Sequence, residues 1–312
     1  MHRKTVLLFG LVALLATSWG SAWAQNDSAG TTGFSFLKIG VGARAAALGG
    51  AHTAVSGAVE APFWNPAGLL GIEQRTATLA LASYLVDTQT GYIGIASPRN
   101  GRVWGFSLNY LTHGDMARTD KDGSQLGTFG AYDLAATVTM AQRLWQDRLA
   151  LGVNLKTILS SIDEFSSDAY MIDLGVQTDG PLEGLTLGAA LSNLGFVRSG
   201  FSEGFKDALP VHFRLGLAHR PAHTPVPMLI LADLNLPNDN DPYLAFGIEA
   251  SLASGFYLRP GFSMQQTGIQ GDDPLGLSVG AGFALDKYIL DYAYNSYPDL
   301  GDVHRLSLSG NF

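Results

Sequence analysis

The chain has 312 residues, a formal net charge of −8 and no cysteine. A disulfide framework, a cysteine-ligated zinc, an iron–sulfur cluster, a thiol nucleophile and a lipid anchor on cysteine are therefore excluded. Charged residues make up only 15% and hydrophobic residues 46%, while glycine reaches 38 residues, well above the usual share. The mixture excludes disorder, collagen and coiled coil, and it is too polar for a bundle of membrane helices, each needing about 20 consecutive apolar residues.

The first 24 residues read as a secretory signal. His2-Arg3-Lys4 is a basic start, Thr5 to Ala16 an apolar core, and Ala22-Trp23-Ala24 a small-x-small cleavage site. Cleavage near Ala24 removes Arg3 and Lys4 and takes the net charge from −8 to −10. So acidic an exported chain has no electrostatic footprint for nucleic acid.

Residues 25–74 come next, divided into a polar tail, Gln25 to Gly33, and an Ala- and Gly-rich stretch without strand alternation, Phe34 to Leu70. The stretch precedes the first strand. It is expected to begin on the periplasmic side and to fold into a barrel mouth as a hatch. Asn65-Pro66-Ala67-Gly68 reads as a tight turn, with proline fixing φ and asparagine favouring turn initiation.

From about residue 75 to 312, apolar side chains recur at every second position. Leu306 and Leu308 alternate with Arg305, Ser307 and Ser309; Leu149, Leu151, Val153 and Leu155 alternate with Ala150, Gly152, Asn154 and Lys156. Successive side chains of a strand face opposite ways, so each segment has one apolar face and one polar or tiny face. About 14 strands are predicted, near 75–85, 91–97, 103–112, 132–142, 149–159, 169–178, 185–192, 211–220, 228–236, 242–252, 256–264, 274–284, 287–295 and 303–312. Connections after even-numbered strands are mostly tight. Those after odd-numbered strands are more often long, at 113–131, 160–168, 193–210 and 265–273, although 86–90 and 237–241 are short. Short periplasmic turns alternating with longer outer loops belong to an all-β, antiparallel, 14-stranded transmembrane barrel in the outer membrane. Tyr84, Trp104, Tyr110, Trp145, Tyr243, Tyr257, Tyr288 and Tyr297 lie near strand ends and are expected in the interfacial girdles.

Two blocks carry a family resemblance. FLKIGVGARAAALGGA followed by FWNPAGL resembles the N-terminal signature of PorV/PorQ outer-membrane barrels, and DYAYNSYPDLGDVHRLSLSGNF (Asp291–Phe312) is similar to that family's closing strands. The NPAG element is shared with FadL-like transporters, 14-stranded barrels with an N-terminal hatch. The PorV/PorQ resemblance implies a part in type IX protein secretion, with secreted proteins bearing a C-terminal sorting domain and other secretion components as partners. The FadL resemblance implies passage of hydrophobic small molecules from outside into the hatch and out sideways. A third reading is a structural barrel that binds lipopolysaccharide or a peptidoglycan-linked partner. Outer-membrane lipid and lipopolysaccharide are expected around the barrel in every case.

Several motifs resemble known sites in part. Gly40-Val41-Gly42-Ala43-Arg44-Ala45 fits a dinucleotide fingerprint without the strand–helix–strand context that binding requires. Asp120-Lys121-Asp122-Gly123 starts like a calcium loop but lacks the later acidic ligand. Asn238-Asp239-Asn240-Asp241 and Asp272-Asp273 read as acidic outer loops able to touch lipopolysaccharide through divalent ions. The histidines show no metal spacing, no Ser/His/Asp arrangement stands out, and no cofactor, metal or enzyme activity is expected.

Strand parity points eight charges inward: Lys156, Asp173, Arg214, Asp233, Glu249, Arg259, Asp291 and Arg305. On the lipid face each would cost about 2–4 kcal/mol at the midplane. They are read as pairing with one another or holding the hatch, whose Lys38, Arg44 and Glu60 are candidate partners, or else as lining a path for an amphiphilic ligand. Pro260 lies inside a predicted strand, where its missing N–H interrupts the ladder. It marks either a bulge or a lateral opening.

Overall fold

A computed structural model describes Ser28 and residues 30–85, 88–145, 148–265, 276–297 and 301–312. The signal sequence with its cleavage site at Ala24, and Asp272-Asp273, lie outside the described residues. Fourteen strands form one closed antiparallel barrel. They are β1 (Thr76–Ser83), β2 (Gln89–Arg99), β3 (Arg102–Thr119), β4 (Gln125–Leu144), β5 (Leu149–Ile162), β6 (Phe165–Asp179) and β7 (Leu185–Ser199). The second half comprises β8 (His212–His219), β9 (Met228–Pro237), β10 (Tyr243–Ala253), β11 (Phe256–Ser263), β12 (Gly276–Leu285), β13 (Tyr288–Tyr297) and β14 (Gly301–Asn311). Each strand pairs with its sequence neighbours, and β1 closes the ring against β14, with Thr76 opposite Asn311 and Leu81 opposite Leu306. No strand edge is left open, as a bilayer demands.

The direction of burial separates a membrane barrel from a soluble one. Along β14, Leu306 and Leu308 are 50% and 48% exposed, while Arg305 and Ser307 between them are 5% and 2% exposed. The same inversion puts Asn154 and Asp173 inside and Leu155, Ile172 and Leu174 outside. Apolar side chains face outward because lipid is their solvent, and the polar set fills the interior. None of the described helices is long and apolar enough to cross a membrane.

The turns after even-numbered strands are short. Asn100 and Gly101 join β2 to β3 with φ of 53° and 74°, the left-handed pair that a two-residue hairpin turn requires. These turns and the paired ends of β1 and β14 (Phe312 N–H donates to Arg75 O, 2.8 Å) define the periplasmic rim. At the outer rim much of the anticipated loop is strand. Residues 113–131 are almost wholly absorbed into β3 and β4, whose tip is the turn at Asp120, where one Asp120 carboxylate oxygen accepts from the N–H groups of Asp122 and Ser124. β7 likewise runs on to Ser199 and β5–β6 nearly meet at Asp163-Glu164. Ladder hydrogen bonds satisfy these segments without help from lipid, so alternation fades there while pairing continues.

Residues 30–74 run through the lumen as a 3-10 turn (Ser35–Lys38), α1 (Ala43–Ala47), α2 (Ala61–Trp64) and a second 3-10 turn (Pro66–Gly71). Their route differs from the sequence expectation. Gly33 N–H donates to Ala208 O and Gly30 N–H to Asp239 O, both in connections after odd-numbered strands, so this end lies at the outer mouth. Phe34, Phe36 and Leu37 pack there against Leu111, Ile158 and Val197. Val59, Leu69 and Ile72 pack against Ala96, Val103 and Ala141 near the periplasmic turns. The segment therefore enters at the outside and leaves at the periplasm, because its aromatic start matches the apolar patch in the outer half of β3, β5 and β7.

The cysteine-free chain makes the route directly testable. Ser28→Cys is expected to react with a membrane-impermeant maleimide on intact cells, whereas Lys287→Cys in the β12–β13 turn reacts only after the outer membrane is permeabilised. Equal labelling of both before permeabilisation contradicts this threading.

Candidate functional site

The site is the lumen and the segment that divides it. Asn65 organises the turn at its centre: its Oδ1 accepts from Ala67 N–H (3.0 Å), and its Nδ2 donates to Thr53 O (2.7 Å) and to Val176 O on β6 (3.1 Å). Pro66 opens the following 3-10 turn, and Ala67 and Gly68 are buried. The wall behind is glycine. A Cβ on Gly152 would sit 2.2 Å from Ala67 N, and one on Gly175 2.0 Å from Asn65 Oδ1. Gly152 and Gly175 are directly paired across β5 and β6.

The arrangement repeats around the barrel. Gly188 and Gly216 pair across β7 and β8 beneath Thr53, and Gly247 and Gly261 pair across β10 and β11 beneath Leu48 and Gly49. Three glycine couples thus form an inner belt on which the lumenal backbone rests. The glycines are visible on the polar faces of the sequence, but their pairing requires the register.

The inward charges form discrete sets. Arg44 on α1 makes two 2.7 Å bonds to Glu249; Glu249 also receives Arg259 Nε at 2.6 Å, and Arg259 Nη1 reaches Asp291 Oδ1 at 2.6 Å. Four alternating charges thereby tie α1 to β10, β11 and β13, within a lumen where a planar guanidinium suits bidentate carboxylates. Asp233 Oδ2 accepts from the N–H groups of His52 and Thr53, each at 2.8 Å. Lys156 pairs with Asp173 at 2.8 Å, and Asp173 also accepts from Asn154, whose Nδ2 donates to Pro62 O of α2. Arg214 and Arg305 have no carboxylate within ion-pair distance among the described residues.

Of the three proposed hatch charges only Arg44 meets one of those eight. Lys38 pairs at 2.7 Å with Asp239, which turns inward and is 3% exposed rather than facing lipopolysaccharide. Glu60 accepts from the Thr78 hydroxyl at 3.0 Å and makes no ion pair among the described residues. Asp239 was missed as a partner because a short polar loop gives no sign of folding back.

Pro260 pairs with Val279 of β12; on the β10 side pairing lapses at Ile248 and Glu249, resumes at Ala250–Leu258, and shifts register again between Ser251 and Ala253. The missing N–H coincides with a two-pair interruption of the β10–β11 ladder, with the Glu249–Arg259 ion pair beside it. The girdle assignment also divides: Trp104, Tyr110, Trp145 and Tyr288 are exposed on the outside, whereas Tyr84, Tyr243, Tyr257 and Tyr297 line cavities within.

Two chambers flank the segment. An outer one of about 400 Å³ is bounded by Ala46, Gly49, Phe63, Trp64, Tyr243 and Arg305 among others; a periplasmic one of about 380 Å³ is bounded by Arg44, Ala45, His52, Glu60, Glu249 and Arg259. Ala45 and Ala46, neighbours on α1, face opposite chambers, so the partition is one helix turn thick. Trp64 completes it: its Nε1 donates to Val41 O (3.2 Å), and its ring lies 6.0 Å from His52 and 5.1 Å, edge-on, from Phe63. The Gly40–Ala45 fingerprint has a structural use here. Gly40 clears Trp64, where a Cβ would meet the indole at 2.8 Å, and Gly42 leads into α1 with φ of 85°.

This architecture is shared with solved transporters. The Pseudomonas putida toluene transporter TodX superposes with a TM-score of 0.65 at 15% identity, over 88% of this chain and 98% of its own. The Ralstonia pickettii toluene transporter TbuX gives 0.63 at 13%, over 88% and 98%. The fold is a FadL-like barrel. No protein-family model matches the chain, and no curated protein matches it. A closed barrel with an apolar outward face fits an outer-membrane bilayer.

Proposed function

We infer that this FadL-like barrel is a non-enzymatic conduit that admits small, largely hydrophobic molecules through the outer membrane, with lipid and lipopolysaccharide as its surroundings. The observation that carries the reading is the partitioned lumen: two chambers of small-molecule size separated by a single layer that is held by hydrogen bonds and ion pairs rather than by covalent links. Its likeness to two toluene transporters supports the same class of cargo. The test is uptake of radiolabelled toluene by cells of a host lacking such barrels. Expression of this chain is expected to raise the initial rate several-fold, and an unchanged rate at verified outer-membrane levels overturns the reading.

A second reading, type IX secretion in the PorV/PorQ manner, rests on the paired sequence blocks at Phe36–Ala51 with Phe63–Leu69, and at Asp291–Phe312. Recovery of secreted proteins sharing a C-terminal sorting domain with the tagged barrel in mild detergent would favour it over the conduit.

A further inference from the structure

We propose that the outer chamber, whose lining includes Arg214 and Arg305, is a binding site for a small aromatic carboxylate. This deepens the conduit reading and rests on it, naming a class of cargo that the apolar likeness does not include. The other lumen arginines among the described residues have carboxylates: Arg44 has Glu249, and Arg259 has Glu249 and Asp291. Arg214 and Arg305 are each 5% exposed and have none among the described residues. The Nε of each is buried without a hydrogen-bond partner. Asp233 and Asp173 act on Arg214 only from beyond ion-pair distance; a guanidinium stays charged at any working pH, so a buried one without a direct ion-pair partner is an arrangement that an anion relieves.

Their other contacts are of a kind that leaves room for such an anion. The Arg214 guanidinium lies over the rings of Phe63 and Trp64 at 5.9 and 5.7 Å, and its only hydrogen bond among the described residues is a long one to Ser192 Oγ, 3.3 Å. Arg305 lies over Tyr84 at 5.8 Å and donates to Asn295 Oδ1 at 2.5 Å. Aromatic faces stabilise a cation without neutralising it. Both arginines line the same chamber of about 400 Å³. Its charged lining is Lys38, Arg214, Arg305 and Asp239; Asp239 is engaged through Oδ2 by Lys38 and the Thr32 hydroxyl, while its Oδ1 is buried without a partner. Three cations against one carboxylate on this lining give the chamber a net positive field, concentrated by its low-dielectric walls. His212 adds a buried, unpartnered Nε2 on the same lining. Tyr84, Tyr243 and Tyr297, with Phe63 and Trp64, supply ring faces for the body of the ligand.

The probe is benzoate, with benzamide as its neutral isostere, titrated calorimetrically into the full chain purified in detergent. Benzoate is expected to bind at least tenfold more tightly than benzamide. Arg214→Gln and Arg305→Gln are each expected to weaken benzoate tenfold or more, with Arg118→Gln on the outer hairpin as the unaffected control. Folding of each variant is read from the mobility shift of the unheated barrel in SDS. Should Arg214→Gln fail to fold, Arg305→Gln and the benzoate-to-benzamide ratio on the unaltered chain still decide. Equal affinity for the two probes, absence of benzoate binding, or benzoate binding unmoved by folded variants overturns the proposal. Failure of benzoate with toluene uptake intact rejects this site alone, whereas loss of toluene uptake with benzoate binding intact rejects the conduit.

Discussion

Gly152→Val is expected to displace the lumenal segment while leaving the barrel closed. A Cβ at this position lies 2.2 Å from both Ala67 N and Pro66 C, backbone atoms inside a turn that Asn65 already holds on both sides. No rotamer relieves a collision with main chain, so the cost exceeds the roughly 1–3 kcal/mol typical of overpacking a core with flexible neighbours. The strand ladder is complete without the segment, so the strain is released by undocking. Conductance across a planar bilayer should rise from near closure to that of an open pore, and Arg44 should become a trypsin site. Gly130→Val, whose Cβ would meet nothing closer than 3.9 Å, is the matched control. A variant at position 152 as silent and as trypsin-resistant as the unaltered chain would sink the belt as the docking surface.

Glu249→Gln should loosen the same segment from the opposite wall. The carboxylate serves Arg44 and Arg259 together, and its loss leaves two guanidinium groups sharing one neutral amide. Breaking a buried ion pair by removing one partner costs about 3–5 kcal/mol; the Arg44 side chain is 24% exposed, which places this case near the lower end. About 3 kcal/mol is roughly a hundredfold in the docking equilibrium. Hydrogen exchange at Ala43–Ala47 should accelerate by about that factor. Asp291→Asn should change it far less, because Arg259 keeps Glu249. Equal effects from the two substitutions would show that the charges do not act as a connected set.

The secretion and transport readings diverge at a point that local sequence does not reach. The NPAG turn figures in both resemblances, and in this chain its work is structural: Asn65 caps, Pro66 starts the 3-10 turn, and Ala67 and Gly68 are buried, with Ala67 and Pro66 against glycine. Such a motif reports how a segment docks, not what passes it. The inward charges were legible because parity alone assigns a face. Their partners were not, since Arg44 and Glu249 are 205 residues apart and Lys38 and Asp239 are 201 apart.

Two-residue periodicity is a property of each strand by itself, so the number of strands, the lipid-facing side, the short periplasmic turns and the polarity of the lumen all follow from the amino-acid order. Register between strands, and the threading of residues 30–74, depend on closure of the ring. Closure brings Gly152 opposite Gly175 and Gly247 opposite Gly261, turns Asp239 inward, and carries Tyr84 and Tyr297 into the outer chamber instead of a girdle. A side chain's face is set by its own backbone, but its partners are set by which other strands the closed barrel brings alongside it, and that is decided only in the folded whole.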